Sequence, residues 1–186
     1  MGALKKTYKT ALSGILLALA CGISWIEQVI PLPLPLGAKL GLSSVIIMFS
    51  IVKLDFKTSM SIVILKSVFI LAVRAVTAFF MSISGGILSF IVMLLLYRSK
   101  KASIIMISVC GAVSHNIGQL ICACIIMKSA GLLTYYAPVL ILTGCITGIF
   151  TGIISENVLK HTKNSIIMEV RNEETKKHQS STLQKH

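Results

Sequence analysis

A chain of 186 residues that is 55% hydrophobic and only 13% charged, with a mean hydropathy of +0.88, is too apolar for a water-soluble domain, where about a quarter of residues carry charge. The formal net charge of +12 does not signal nucleic acid, because the basic residues fall in short clusters between apolar runs, the pattern that sets membrane orientation. All five cysteines lie inside apolar runs, which excludes a secreted disulfide framework and a zinc site, and no bound cofactor is expected. The chain reads as an all-α, polytopic membrane protein.

Taken in order, apolar periodicity and breakers predict six spans at about 10–30, 42–54, 59–81, 85–97, 102–127 and 136–159, hence a six-transmembrane-helix bundle. Lys5, Lys6 and Lys9 before the first run resemble the start of a signal peptide. The apolar sequence continues to Ile30 and further spans follow, so this run is read as a retained helix. The second and fourth spans are short and, at about 20 Å as helices, fall below the hydrocarbon thickness of about 30 Å. They are expected to tilt, to re-enter, or to be shielded by neighbours.

With both termini on the cytoplasmic side, the tails and the second and fourth connections hold every basic residue except Lys39, Lys66, Arg74 and Lys128. The positive-inside rule selects that orientation and predicts a multi-pass protein of the cell membrane with both termini cytoplasmic. From Asn164 the chain turns polar and charged. Residues 1–163 are therefore read as the membrane domain and 164–186 as a disordered, basic and polar cytoplasmic tail.

Depth then follows for each unusual residue. Glu27, Arg74 and Gln119 fall in the outer half of their spans, and Lys66 and His115 near the middle. His115 and Gln119 are four apart and share a helix face, with Asn116 about 100° round. Such groups in lipid turn inward, where they either meet a ligand or tie helices together; one histidine and two amides do not make a metal set. Glu27 is a natural counter-ion for Arg74, as part of a site or as a structural pair. The first connection carries Pro31, Pro33 and Pro35, which stiffen it, and Gly37 and Gly41, which permit turns around Lys39; such a loop suits a lid over an outward pocket. Gly85 and Gly86 are read as the outer turn before the fourth span, another place for close approach or an ordinary bend.

Gly14, Ala18 and Gly22 form a small-residue stripe on the first span, suited to docking a partner helix or to internal packing, and Gly144, Gly148 and Gly152 repeat it on the last. Asp55 is the only aspartate, so no aspartate-rich site can hold magnesium against a diphosphate. Without a phosphate-binding glycine-lysine loop, any ATP would be hydrolysed by a partner. No catalytic residue is assigned.

Three motifs in order, 35–44 (PLGAKLGLSS), 84–89 (SGGILS) and 111–120 (GAVSHNIGQL), resemble the bacterial Gx transporter family, also called heptaprenyl diphosphate synthase component I. Leu36 stands between the proline and glycine of the first motif, and Ser43-Ser44 replaces the commoner Ala-Asn. The resemblance implies a fold similar to the substrate-binding S components of energy-coupling-factor (ECF) vitamin transporters. It further implies a small vitamin-like or cofactor-precursor substrate bound on the outer side under the first loop. Docking would run through the first helix to a membrane coupling subunit served by ATPases. On this basis Glu27, Lys39, Arg74, His115, Asn116 and Gln119 are the expected substrate-binding set, with Pro35, Gly37, Gly41, Gly85 and Gly86 as the loop and lid. The competing expectations are an accessory membrane subunit of a polyprenyl diphosphate synthase and a structural membrane partner without a ligand.

Overall fold

The computed structural model describes the backbone of residues 2–29, 42–129 and 131–183, and the side chains of 7–27, 42–129 and 131–162. The expected lid with Pro35, Gly37, Lys39 and Gly41 lies outside the described residues. Among the described residues six helices follow one another: α1 (Gly2–Val29), α2 (Ser43–Lys53), α3 (Phe56–Val73), α4 (Val76–Ser99), α5 (Ile104–Met127) and α6 (Gly131–Leu183). Five of them contain stretches long and apolar enough to cross a membrane; α2 is too short. The chain is an all-α polytopic membrane protein. Large exposed side chains such as Leu95, Ile125 and Ile146 would be anomalous in water and suit a surface facing lipid.

The chain divides into two compact units, residues 1–155 and 156–186. In the second, Lys160 pairs with Glu156 one helical turn away at 2.7 Å. The backbone of α6 continues to Leu183.

In the first unit, α2 lies antiparallel to α1 and is tied to it at both ends. The Glu27 carboxylate accepts a hydrogen bond from the Leu42 N–H at the start of α2, and Lys9 pairs with Asp55 just past its end. At about 16 Å, α2 cannot span the hydrocarbon alone. It is instead wrapped by its neighbours: Ile47, Met48 and Ile51 pack with Val63 of α3, Phe90 and Met93 of α4 and Ile107 of α5. A second apolar layer joins Leu16 and Ala20 of α1 to Ile46 and Ile62. Shielding of the short second span is thus realised.

The fourth span is not short. The break between α3 and α4 falls at Arg74-Ala75, both extended, and Gly85 and Gly86 lie inside α4 rather than in a turn. A glycine pair breaks helices in water, but in membranes glycine serves helix contact. Moving the break to Arg74 also puts the cation at a helix end instead of within hydrocarbon.

Candidate functional site

The polar residues of α5 are buried; Ser114 bonds back to the carbonyls of Cys110 and Gly111 on its own helix, and the others lie against α4 or α6. Toward α4, the ring nitrogen Nε2 of His115 lies 3.1 Å from Nε2 of Gln119, and Gly85 covers the pair. A Cβ on Gly85 would stand 2.7 Å from the His115 carbonyl oxygen and 2.8 Å from Gln119 Cγ. Gly118 reciprocates, since its Cβ would meet the Gly85 Cα at 2.9 Å, and Ser84 donates to the Gly118 carbonyl at 3.1 Å. The two backbones therefore touch because both contact positions are glycine. This is the physical role of Gly85 in the fold, and it corrects its expected place in a loop. Gly86 does the same toward α3, facing Val63.

Toward α6, Asn116 Nδ2 donates to the Leu140 carbonyl at 3.0 Å, and Ser108 meets Thr151 at 3.0 Å. Gly144, Gly148 and Gly152 lie against Val113, Val109 and Ile105 respectively. The small-residue stripe of the last span is consumed by α5. That of the first is not: Gly14, Ala18 and Gly22 are exposed, and a Cβ on either glycine would meet nothing within 4 Å.

A separate polar cluster sits where α2 begins. One turn beyond the Leu16–Ala20–Ile46–Ile62 layer, the same helix faces present Ser24 and Glu27 on α1, Ser43 on α2 and Lys66 on α3, all buried. Lys66 Nζ donates to Ser43 Oγ at 3.0 Å, and Glu27 holds the first N–H of α2, where the positive end of a helix favours a carboxylate. The Ser24 and Ser44 hydroxyls are buried without a hydrogen-bond partner among the described residues.

The expected substrate-binding set is thus distributed. Glu27 serves α2, His115 and Gln119 pack on α4, Asn116 reaches α6, and Lys39 lies outside the described residues. Arg74 is exposed at the α3–α4 junction. Lys66 and Ser43 were absent from the expected set. A lysine in the middle of an apolar run was the available signal for the first; the serine carries no signal until α2 is placed against α3.

An apolar cleft of about 530 Å³ also opens between α4 and α5, walled by Phe80, Leu88, Gly118, Ile121, Ile125 and Ile126. Ser84 and Cys122 are its remaining lining residues.

A family model described as heptaprenyl diphosphate synthase component I matches residues 16–158. No curated protein and no solved structure matches the chain.

Proposed function

We propose that this chain, which belongs to the heptaprenyl diphosphate synthase component I family, is the non-catalytic membrane component of a polyprenyl diphosphate synthase. It would act beside a separate catalytic subunit at the bacterial cell membrane, with both termini cytoplasmic. The observation that carries this reading is the family match, which takes in the whole polar interior from Glu27 to Thr151. A prenyl diphosphate bound through magnesium needs clustered carboxylates; this chain has one aspartate and five glutamates, the aspartate is paired with Lys9, and among the described residues no three acidic or other metal-ligating side chains come together. That residue content supports an accessory role and leaves prenyl transfer to the partner.

A second reading, substrate capture for an ECF-type importer, is favoured by one feature. The Ser24, Glu27, Ser43 and Lys66 cluster places charge, and a Ser24 hydroxyl without a partner among the described residues, at the end of α1 and the start of α2, a suitable floor for a small polar ligand such as a vitamin. In that reading the open face with Gly14, Ala18 and Gly22 docks a membrane coupling subunit, and ATPase subunits supply the energy.

Affinity purification of the tagged chain from its native membranes, with identification of the proteins that co-purify in mild detergent, separates the two. A soluble prenyltransferase with aspartate-rich motifs is the expected partner. Recovery of a membrane coupling protein with ATPases in its place would defeat the synthase reading and establish the importer.

A further inference from the structure

Two links far apart in sequence close over one core layer. Val52 and Met60, flanking the α2–α3 link, and Leu96, Ala102 and Ile104, around the α4–α5 link, pack on the same cluster of Ile51, Phe90 and Ile107. The Phe56 ring stands 5.5 Å from that of Phe90. The consequence is that Lys53 and Lys57 come to the same end of the bundle as Arg98, Lys100 and Lys101. The last four are exposed. Asp55 is engaged by Lys9, and none of these five cations pairs with an acid among the described residues.

The cations are held on short, fixed backbone. Lys100 adopts the left-handed conformation at φ 56° that caps α4, and the Ser103 side chain accepts the Met106 N–H at 3.2 Å to start α5. Lys57 lies in the first turn of α3, which contains no acidic residue. The α3 N-terminus is complemented by the Asp55 carboxylate at its N-cap, which Lys9 engages, so Lys57 is left to face outward. Beside the charges, Phe56, Leu95 and Met106 are exposed hydrocarbon. The surface is therefore basic toward water and apolar along the bilayer.

We propose that this surface binds the phosphate headgroup of a membrane amphiphile, with Lys57, Arg98, Lys100 and Lys101 around the phosphate oxygens and the tail lying along the apolar flank. Anionic phospholipids and prenyl diphosphates share that chemistry. The site is at the opposite end of α2 from the Glu27–Lys66 cluster and is independent of which partner the chain serves.

The test uses the full chain in detergent, followed by native mass spectrometry with two probe pairs: phosphatidylglycerol against phosphatidylcholine, and farnesyl diphosphate against farnesol. The wild type is expected to retain at least one phosphate-bearing anionic probe in preference to its counterpart. Each cation removed lowers that retention about fivefold, so Lys57→Gln/Lys100→Gln/Lys101→Gln abolishes the preference. Lys128→Gln, at the other end of α5, leaves it intact. Raising the ionic strength releases the anionic probe from the wild type without any substitution. Which anion is retained identifies the source of the headgroup. No preference in the wild type, preference that survives the triple substitution or high salt, or an equal loss in Lys128→Gln overturns the proposal.

Discussion

The glycine contact between α4 and α5 gives the most quantitative handle on this fold. Alanine at position 85 would put its methyl 2.7 Å from the His115 carbonyl oxygen, and alanine at 118 would put one 2.9 Å from the Gly85 Cα and 3.0 Å from the Ser84 carbonyl oxygen. Non-bonded carbon atoms rest about 3.5–4.0 Å apart, and these obstacles are backbone atoms of regular helices, so the helices themselves must separate. Overpacking of this kind costs about 1–3 kcal/mol, offset by up to about 1 kcal/mol for replacing glycine within a helix. The net expectation is a loss of about 1–2 kcal/mol for each variant. Gly14→Ala, with nothing within 4 Å, takes only the gain. At Gly111 the obstacle is the Met93 side chain, with Cγ at 2.7 Å and Cε nearer still, and Met93 is fully buried in the core, so Gly111→Ala should also lose stability, by about 1 kcal/mol or more. With about 2–4 °C per kcal/mol for a chain of this size, Gly85→Ala and Gly118→Ala should melt roughly 2–8 °C below the wild type and Gly14→Ala at or above it. Size-exclusion of heated, detergent-purified samples reads the order directly. If Gly85→Ala and Gly118→Ala proved as stable as Gly14→Ala, the close approach of α4 and α5 would be wrong.

Other expectations follow from individual hydrogen bonds. Asn116→Leu removes the bond to the Leu140 carbonyl and should lower stability by about 1 kcal/mol, measured by the same melting assay; an unchanged midpoint would show that α5 and α6 do not meet there. Glu27→Gln retains an acceptor for the Leu42 N–H and should fold nearly as well as the wild type. Glu27→Ala leaves that N–H unpaired at a cost of about 1–3 kcal/mol, so equal melting of the two variants would argue against the carboxylate as the cap of α2. A double-mutant cycle on Ser108→Ala and Thr151→Ala should return a coupling of about 0.6 kcal/mol, the usual size for hydroxyl pairs between membrane helices, and zero coupling would remove that contact.

Composition and periodicity determine that this is an all-α membrane protein with apolar helices in a fixed order, because lipid admits a polar backbone only when it is bonded within each helix. They also mark His115, Asn116, Gln119, Glu27 and Lys66 as residues that must turn inward, since leaving them in hydrocarbon is costly. Where they turn is decided elsewhere. His115 and Asn116 are adjacent in sequence yet serve different helices, because successive residues on α5 point about 100° apart and α4 and α6 occupy the two sides. Two small-residue stripes of the same four-residue spacing had opposite fates: Gly144, Gly148 and Gly152 are filled by α5, whereas Gly14 and Gly22 meet nothing among the described residues. Gly85 and Gly86 read locally as a turn and fold as helix, because what selects their conformation is Gly118 and Val63 on other helices. The Lys66–Ser43 bond and the convergence of Lys57 with Lys100 exist only once α2 and α3 are stacked on α4 and α5. Sequence sets the cost of exposing each group, and tertiary packing alone sets which partner relieves it.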